Sequence, residues 1–472
     1  MLINFLWGQH YDKVAGIDAI AYAETLGIPI IGTSSRFLSL SKIDFKLAAS
    51  KYNILTPRYN VIKSADDIVT LEKFPVIVKM ARACGSLHKT ETSVCHDPST
   101  LKIEIDKLLK IAECEILVEE YIYGREYSVM VIENSDGIYA LTPIIYHFPK
   151  HFTPEEQFLR FDNKFELVDS GEITFELVHA ADPLTNRMKE IACKSFNALH
   201  VYGSGYARMD LRVDDKNNIF VLEVNPTSAF FSSIGNTFGD DYVISRCFEG
   251  GHEALMDQLI KTKLKQIGIT HFYDNFAGNY NRLSESDMYK MFKEICKEYD
   301  YSGDILDLGC GTGLLAKIIL DCGHSSNFTG VDLSHKMTEQ TTLYSKIYIG
   351  PMENIIYNID DRKFDHIISY GCLLFLNNAV FKETLSRMFE IAKRSITITV
   401  EEIPDEYNEI LIKKGHETIY SYNNKCVIDG FDVPDQWVLA YSKRGHMWSS
   451  PLTGVDIYGS VIRFENCSKK IT

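Results

Sequence analysis

The chain has 472 residues, of which 45% are hydrophobic and 24% charged, a composition typical of a soluble globular protein. At about 100–200 residues per domain, this length excludes a single domain. The 49 Lys and Arg side chains against 64 Asp and Glu side chains give a net charge of −15. The resulting field disfavours nucleic acid and anionic membranes as main partners, which leaves small molecules as the expected ligands.

The cysteines and the first residues bear on the compartment. The 11 cysteines are scattered and form no C-x-x-C pair, so neither a disulfide framework nor a zinc site is predicted. The first residues, MLINFLWGQHYDK, lack the basic and apolar regions of a signal peptide, and no run of about 18 apolar residues follows. We therefore expect a cytoplasmic protein.

Helices and strands are mixed over residues 1–260. Helical patterns cover residues 12–26, up to Gly27, and residues 183–199, which begin at Pro183. Apolar, β-branched runs predict strands at residues 75–79, 115–122, 206–213 and 220–226. A helical pattern that ends in MDQLIKTKLKQIG and gives way to THFYDNFAGNYNR predicts a domain boundary near residues 258–272.

Residues 261–472 have a more regular rhythm. Short apolar strands are separated by helical patterns, and these strands are DILDL, FTGVDL, FDHIISY and SITITV. Such alternation is typical of a doubly wound, mostly parallel sheet.

The hairpin predicted at residues 206–226 places four polar groups on one face. Side chains two apart on a strand point the same way, so Arg208 joins Asp210, and Glu223 joins Asn225. A loop centred between Lys216 and Asn217 sets Asp210 opposite Glu223. Two carboxylates and an amide oxygen suit Mg²⁺, and an arginine beside them can neutralise charge on a transferring phosphoryl group. A solvated face with two cross-strand ion pairs remains the alternative.

Lys79 stands at the end of the apolar run PVIVK and precedes the small-residue segment ARACGSLHKT. A lysine at a strand end beside such a segment is a candidate phosphate clamp, although a solvated lysine is the alternative. GSLHKT lacks the glycine pattern of a Walker A loop.

These residues together resemble the ATP-grasp ligases, and within them the D-alanine–D-alanine ligase branch, from about residue 27 to residue 250. The motifs that carry the resemblance are GIPIIGT, SKIDFK followed by TP, PVIVK, VEEYIYGREYSV, FDNKF, GYARMDLRV and EVNP. The resemblance implies an acyl phosphate made from a carboxylate and ATP, which an amine then attacks to give an amide and ADP.

The resemblance also implies roles for individual residues. Catalysis would involve Arg208, Lys164 and Ser86. ATP would be bound at its phosphates by Lys42 and Lys79, with Gly85 and Ser86 covering them and Lys164 as a further phosphate contact. Its adenine would lie against Glu119, Tyr121 and Ile122, and its ribose would be bound by Glu126. Mg²⁺ would be held by Asp210, Glu223 and Asn225.

Two departures from that branch alter the expected substrate pocket. Only a βαβ-sized segment precedes Lys42, so we expect no counterpart here to the acid that recognises the first substrate's amine. Either this chain starts late or its cleft wall is built differently. The family's Asn-x-x-Pro-Gly run is replaced by Asn225-Pro226-Thr227-Ser228-Ala229-Phe230-Phe231. D-Alanine is therefore not predicted as the substrate.

A glycine-rich turn follows the predicted strand DILDL. Gly309, Gly311 and Gly313 let a ligand approach the backbone beside a helix N-terminus. Leu314 stands where a dinucleotide fingerprint needs a third-position glycine, which argues against NAD. Asp332 ends a strand about 20 residues later, where an acid can accept hydrogen bonds from ribose hydroxyls.

DLGCGTG, VDLS and FDHIISYGCLLFL resemble the class I S-adenosylmethionine-dependent methyltransferases over residues 270–400. The resemblance implies that the donor is bound by Asp307, Gly309, Cys310, Gly311, Gly313, Asp332 and Tyr280. Tyr273 is a second candidate aromatic, and Glu353 stands where the family has an acid for the adenine amine. His416 and His446 are candidate bases, each with a surface or core histidine as its alternative.

The sequence thus predicts a multidomain α/β and α+β chain. Residues 1–40 would be a shortened N-terminal α/β segment, residues 41–260 an ATP-grasp domain, and residues 261–472 a Rossmann-like methyltransferase domain. The expected protein is bifunctional: it ligates a carboxylic acid and an amine and methylates the product or a substrate, in small peptide or amide biosynthesis. The alternatives are a methyltransferase with a regulatory ATP-binding domain and a ligase that modifies a protein terminus, and a homodimer is compatible with each.

Overall fold

The computed structural model describes residues 1–9, 14–26, 28–82, 88–111, 114–134, 137–160, 167–168, 170–199, 204–227, 239–357, 359, 363–376, 378–414, 430, 433–450 and 453–467. The chain divides into two compact units. The first comprises Met1–Asn134 and Ile138–Lys263, and the second comprises Leu264–Thr472 with Ser135–Gly137. No helix among the described residues is both long and apolar enough to cross a membrane.

The first unit combines small sheets with helices. Its strands are β1 (Leu2–Ile3), β2 (Ile30–Ile31), β3 (Tyr59–Ile62), β4 (Val76–Met80), β5 (Val94–Cys95), β6 (Ile116–Glu120), β7 (Arg125–Asn134), β8 (Gly137–Ala140), β9 (Ile144–His147), β10 (Thr174–Leu177), β11 (Tyr206–Val213) and β12 (Ile219–Asn225). Its helices are α1 (Ile17–Thr25), α2 (Ser35–Leu38), α3 (Lys42–Lys51), α4 (Pro98–Leu109), α5 (Pro183–Ala198) and α6 (Gly239–Cys247).

Two antiparallel sheets carry the predicted ligand-binding residues of this unit. One has the order β3-β6-β4-β5, and the other has the order β10-β9-β7-β11-β12, with β8 beside β7. Buried apolar side chains cover the first sheet, among them Val76, Val78, Ile116 and Val118, which alternate along β4 and β6 as strands require. The amphipathic helix α4 packs on that sheet through Leu101, Ile105 and Leu108.

The predicted hairpin register is confirmed. Arg208 pairs with Asn225, and Asp210 pairs with Glu223, before a bulge shifts the register between Asp210 and Leu211. The turn at residues 214–218 is closed by the Asp214 side chain, and Asn217 adopts a left-handed φ of 61°. Asparagine tolerates that conformation better than most residues, which is why the chain can reverse tightly here.

One helix end is predicted wrongly. The helix α7 runs without a break over Gly251–Tyr280, whereas the sequence predicted an end near residue 268. The glycines at 268 and 278 are isolated and no proline follows them, so each costs only about 1 kcal/mol inside a helix and does not end it. The first predicted helix also differs, because α1 begins at Ile17 and not at residue 12.

The second unit is a doubly wound sheet with helices, as predicted. Its strands are β13 (Gly303–Leu308), β14 (Ser326–Asp332), β15 (Tyr344–Ile349), β16 (Phe364–Ser369), β17 (Ala392–Glu402), β18 (Trp437–Ser449) and β19 (Asp456–Asn466). Its helices after α7 are α8 (Asp287–Glu298), α9 (Leu314–Asp321), α10 (His335–Thr338), α11 (Met352–Ile355), α12 (Asn378–Ile391) and α13 (Asp405–Lys413).

The strand order β15-β14-β13-β16-β17-β19-β18 decides where ligands can bind. The strands from β15 to β17 are parallel, while β19 is antiparallel to both β17 and β18. The order reverses between β13 and β16, and in open α/β sheets ligands bind beyond the carboxyl ends of strands at such a reversal. Phe292, Ile305, Ile319 and Ile368 are fully buried in the core that supports this edge.

Candidate active sites

The first predicted phosphate-binding lysine, Lys42, begins α3. Ser41 caps this helix reciprocally: its Oγ accepts from the Asp44 amide at 3.2 Å, and Asp44 Oδ2 accepts from the Ser41 amide at 2.7 Å. Lys42 Nζ lies 3.0 Å from Glu223 Oε2. The capped helix therefore places the lysine beside a predicted metal ligand.

A second cluster forms around Glu119, which is fully buried on β6. Its Oε2 lies 2.6 Å from Lys79 Nζ, and its Oε1 lies 2.7 Å from Lys46 Nζ. Burial alone would raise the pKa of Glu119, but the two ammonium groups lower it. Burial lowers the pKa of Lys46, although Glu119 opposes that shift. The structure therefore shows Glu119 joined to two lysines, one of which sequence reasoning did not select.

The predicted metal ligands converge on the hairpin face. Asp210 accepts hydrogen bonds from Arg208 Nε at 2.8 Å, from Asn225 Nδ2 at 2.8 Å and from Ser128 Oγ at 3.0 Å. Burial would raise the pKa of Glu223, yet Lys42, Lys89 and Lys79 lower it, so this carboxylate stays ionised.

This donor set fits Mg²⁺ only with help from substrate. Among the described residues, no three His, Cys, Asp or Glu side chains lie close enough to hold a metal. The hairpin instead offers two carboxylates, Asp210 and Glu223, and the amide oxygen of Asn225, whose nitrogen is already bonded to Asp210. Mg²⁺ commonly completes its shell with phosphate oxygens and water, so the residues fit the ion in a nucleotide complex.

Arg208 is held from two sides. Its Nε and Nη2 bond Asp210, while its Nη1 lies 3.0 Å from Oδ2 of Asp240, at the start of α6. Burial acts to lower the pKa of Arg208, but these two carboxylates raise it well above the usual value. The guanidinium is therefore a fixed positive charge on the metal-ligand face, suited to neutralise charge that grows during phosphoryl or acyl transfer.

Two of the residues predicted for adenine and ribose, Tyr121 and Glu126, lie against Arg212, a buried side chain. Arg212 stacks on the Tyr121 ring at 4.7 Å, and its Nη2 donates to Tyr121 Oη at 3.0 Å and to the Gln157 carbonyl at 2.7 Å. Glu126 lies 3.6 Å from Arg212 Nη1, and burial raises the pKa of this carboxyl. Ile122 is half-buried after β6. Arg212 thus orients both Tyr121 and Glu126.

A cleft opens between α3 and the hairpin. It encloses about 500 Å³ including its mouth, and its wall includes Lys42, Arg82, Glu223 and Asn225. Gly85, Ser86 and Lys164, which were predicted to contact phosphates, lie outside the described residues, as do Phe230 and Phe231. The cleft is therefore lined by one predicted phosphate-binding lysine and two predicted metal ligands, whereas Lys79 and Asp210 are not part of its wall.

In the second unit, the glycine-rich turn folds back on the end of β14. Gly309, Gly311 and Gly313 have φ values of 78°, 51° and 80°, which glycine adopts freely. The Gly311 amide donates to Asp332 Oδ2 at 2.8 Å, and the Ser334 amide donates to Asp332 Oδ1 at 2.8 Å. Despite these bonds, burial raises the pKa of Asp332. The predicted ribose acid is thus fixed against the turn.

Asp307 lies beneath the same turn with no exposed surface. Its Oδ2 accepts from Tyr344 Oη at 2.6 Å, while its buried Oδ1 has no partner among the described residues. Burial, helped by the charge of Asp332 and opposed by Tyr344, raises the pKa of Asp307 to about 7. A buried oxygen without a partner at a glycine turn fits a ligand that brings a donor, such as the ammonium of a methionine moiety.

The remaining methyltransferase candidates divide into two groups. Tyr280 packs near the turn: its hydroxyl lies 3.3 Å from Tyr289 Oη, and a Cβ built on Gly311 would lie 3.8 Å from its ring. Cys310 is buried in the turn, and Tyr273 packs edge-to-face on Phe375.

The other candidates are less tied to the turn. Glu353 lies in the first turn of α11. His446 makes surface hydrogen bonds, with Nδ1 3.1 Å from Asp287 Oδ2 and Nε2 3.3 Å from Ser449 Oγ. His416 lies outside the described residues.

Sequence reasoning missed Lys46, Arg212 and Asp240. The repeat of lysine at positions 42 and 46 puts both side chains on one helix face, and Arg212 continues the alternation of Arg208 and Asp210 along β11, so these two left a signal. Asp240 follows a segment with no clear periodicity, so the sequence contains no signal that would have identified it.

Comparisons with known proteins match the two halves of the chain to two different families. The family model "D-ala D-ala ligase C-terminus" matches residues 43–234, and the model "Methyltransferase domain" matches residues 305–395. A D-alanine–D-alanine ligase of Chlorobaculum parvum is 30% identical over 263 residues, which cover 48% of this chain and 67% of that protein. An uncharacterized protein of Sinorhizobium fredii is 26% identical, covering 43% of this chain and 59% of that protein. The chain spans 59%, 67% and 61% of the length of three of the curated relatives that it matches.

Solved structures give weaker likenesses. A D-alanine–D-alanine ligase of Bacillus anthracis complexed with ATP has a TM-score of 0.39 at 20% identity and covers 52% of this chain and 74% of that chain. An L-amino acid ligase of Bacillus licheniformis has a TM-score of 0.36 at 16% identity and covers 49% of this chain and 48% of that chain.

Proposed function

We propose that this chain joins a carboxylic acid to an amine with conversion of ATP to ADP, and that it methylates the product or one of the substrates. The premise is that the chain belongs to the D-alanine–D-alanine ligase family and carries a methyltransferase domain. The family membership makes the chain an enzyme that uses ATP, Mg²⁺ and S-adenosylmethionine. The substrates we propose are amino acids or short peptides, in keeping with the D-alanine–D-alanine ligases among its relatives.

The observation that carries the ligase half is the charge arrangement at the hairpin. Asp210, Glu223 and Asn225 share one face with Arg208, and Lys42 reaches that face from α3. A domain that has lost catalysis has no need for both a cation site and a fixed guanidinium beside it. The arrangement therefore favours a working ligase over a regulatory ATP-binding domain.

The proposed ligation runs in two balanced steps. A substrate carboxylate attacks the γ-phosphorus of ATP, and the bond to the bridging oxygen breaks, which releases ADP and leaves an acyl phosphate. An amine then attacks the acyl carbon, inorganic phosphate leaves with the bonding pair, and the amine loses a proton to solvent. Asp210, Glu223 and Asn225 would hold Mg²⁺, which would supply positive charge to the phosphates, while Lys42, Lys79 and Arg208 orient the phosphates.

The proposed location is the cytoplasm, and small molecules are the proposed partners. The nine cysteines among the described residues are all free, which agrees with a reducing compartment. A homodimer is compatible with the proposal, and the association state would be read by light scattering.

The test follows both activities in one reaction. The full chain is incubated with ATP, Mg²⁺ and pooled amino acids, with and without S-adenosylmethionine, and ADP and products are followed by mass spectrometry. We expect amino-acid-dependent ADP and a condensed mass that gains one methyl group only with the donor. ADP release that no carboxylic acid or amine changes would contradict the ligase half.

Two variants separate the sites. Asp210→Asn should lower ADP formation at least about 100-fold by removing a metal ligand, while Asp215→Asn, an exposed residue of the same hairpin, serves as the matched control. Asp332→Ala should weaken S-adenosylmethionine binding without changing ATP affinity. Full ligase rate in Asp210→Asn would overturn the metal assignment, and loss of both affinities in Asp332→Ala would overturn the independence of the sites.

A further inference from the structure

A buried carboxylate lies at the carboxyl edge of the second sheet, apart from the residues assigned to the donor. Glu401 is the penultimate residue of β17, and none of its surface reaches solvent. Neither of its carboxylate oxygens has a hydrogen-bond partner among the described residues. Burying a carboxylate without hydrogen-bond partners costs free energy, so we expect a ligand that donates hydrogen bonds to these two oxygens.

Short contacts connect Glu401 to the glycine-rich turn. Thr399 shares the face of β17 with Glu401, and its Oγ1 accepts from the Gly371 amide at 2.8 Å. The next residue, Cys372, donates its thiol to the Leu308 carbonyl at 3.0 Å, and Leu308 immediately precedes Gly309. The carboxylate therefore lies at the carboxyl end of β17, one strand beyond the reversal between β13 and β16, on the side of the sheet edge where a second ligand could meet one bound at the turn.

No cation offsets the charge of Glu401 within the part of the chain that the structure describes. Burial raises the pKa of Glu401 to about 7, although the Thr399 hydroxyl and the Gly371 amide lie near enough to lower it without reaching hydrogen-bond geometry. The titratable groups facing it are Tyr370 and Cys372, whose pKa values burial also raises, so both remain neutral. The Tyr370 hydroxyl is itself buried without a partner among the described residues. As far as the structure describes it, this edge therefore offers unused acceptors and no positive charge.

The packing beside Glu401 is close, and its adjustable members are two methionines. A Cβ built on Gly459, opposite Glu401 on β19, would lie 2.5 Å from the Val400 carbonyl oxygen, 3.0 Å from Glu401 Cα and 3.1 Å from Met447 Cγ, so the two backbones leave no space for a side chain at Gly459. A Cβ built on Gly371 would lie 3.8 Å from Met288 Cε. Methionine side chains are flexible and refill irregular spaces, so the two thioethers can move aside for a small group that approaches the carboxylate.

We propose that Glu401 binds the methyl acceptor and that this acceptor is an amine. An ammonium or amine supplies N–H donors for both free oxygens, whereas a hydroxyl supplies one and a carboxylate would set two like charges together. The inference rests on the proposed methyltransferase function and names its substrate class. It also fits the proposed ligation, because a product made from amino acids keeps one free amine.

The proposed step is balanced in atoms and charge. S-adenosylmethionine supplies an electrophilic methyl group on a sulfonium sulfur. Glu401 takes one proton from the acceptor ammonium, which frees the nitrogen lone pair. The lone pair forms the N–C bond as the C–S bond breaks with its electron pair left on sulfur, and Glu401 then releases its proton to water.

The experiment uses the full chain with methyl-tritiated S-adenosylmethionine and two matched panels of probes. The first panel contains amino acid amides and dipeptides with free amines, and the second contains the same compounds after N-acetylation. Binding of S-adenosylhomocysteine is measured by calorimetry in parallel. The variants are Glu401→Gln and, as control, Glu402→Gln, whose carboxylate pairs with Arg444 at the surface.

We expect label only on amines of the first panel. Glu401→Gln should lose at least about 100-fold in transfer rate, the scale of general acid–base catalysis, with S-adenosylhomocysteine affinity within about threefold of the parent. Glu402→Gln should transfer at the parent rate. If Glu401→Gln fails to fold, the comparison of the two panels with the parent chain still decides the acceptor class.

Three results would overturn the inference while donor binding stands: equal labelling of the acetylated panel, parent-rate transfer by Glu401→Gln, or no label in any amine. Absence of S-adenosylhomocysteine binding by the parent chain would overturn the methyltransferase function itself, and the inference with it.

Discussion

The buried triad of Lys46, Glu119 and Lys79 allows a quantitative test. Lys46 has no exposed side-chain surface, and its ammonium also donates to the Pro57 carbonyl at 3.0 Å. We predict that Lys46→Met destabilises the first unit by about 3–5 kcal/mol, the usual cost of removing one partner from a buried ion pair. Methionine keeps most of the volume, so cavity formation contributes little.

The magnitude follows from the distances. Two unit charges 2.7 Å apart attract by about 6 kcal/mol at an effective dielectric constant of 20. Part of this loss is offset because Lys46 and Lys79 repel each other, and that repulsion disappears with Lys46. Lys79 still partners Glu119 at 2.6 Å, so the net cost stays below the full attraction.

Scanning calorimetry of the full chain is the assay, because each unit is expected to give its own transition. At about 2–4 °C per kcal/mol for a unit of this size, the first-unit transition should fall by about 6–20 °C. Lys51→Met, at the exposed end of the same helix, should change it by less than about 0.5 kcal/mol. A loss below about 1 kcal/mol in Lys46→Met would show that Lys79 alone satisfies Glu119 and would refute the reasoning.

Two further predictions concern pH and the nucleotide site. The pKa of Asp307 is raised from 3.8 to about 7. The folded state therefore keeps a proton that the unfolded state loses above about pH 4. The free energy of unfolding of the second unit should consequently fall by up to about 4 kcal/mol as the pH rises to 7. Guanidinium unfolding between pH 4 and 8 measures how the free energy of unfolding changes with pH. Asp307→Asn should remove about half of that pH dependence, because Glu401 titrates in the same range and supplies the rest. An unchanged pH dependence would contradict this. Arg212→Lys should weaken ATP binding in calorimetry about 10-fold through lost contacts with Tyr121 and Glu126, unlike the exposed Arg125→Lys, and equal affinities would refute that role.

Site residues that lie close together in the sequence could be predicted to meet, whereas pairs far apart in the sequence could not. Arg208, Asp210, Glu223 and Asn225 could be placed together because strand alternation and one tight turn fix a hairpin register. The pairing of Glu119 with Lys46 could not, because it depends on how α3 packs over a sheet formed much later in the chain. Glu119 was predicted only to line the adenine pocket, and the structure adds its two ion pairs.

Burial explains the other omissions. Glu401 reads in sequence as one of two consecutive acids at a strand end, VEEIP, where solvent exposure is the ordinary expectation. Only the register with β19, which sets Gly459 opposite it, and the close approach of Gly371 show that one of the two acids is enclosed. The other, Glu402, pairs with Arg444 at the surface.

The pKa values of the acidic residues are shifted in opposite directions in the two units, which suits ligands of opposite charge. In the first unit, lysines lower the pKa values of Glu119 and Glu223, so these carboxylates are ionised and already accompanied by cations that can turn to phosphate. Glu126 is the exception, and a carboxyl whose pKa is raised suits neutral ribose hydroxyls. In the second unit, burial raises the pKa values of Asp307 and Glu401, and no cation among the described residues opposes this shift. Such acids gain most from ligands that bring positive charge, which is what a sulfonium donor and an amine acceptor share.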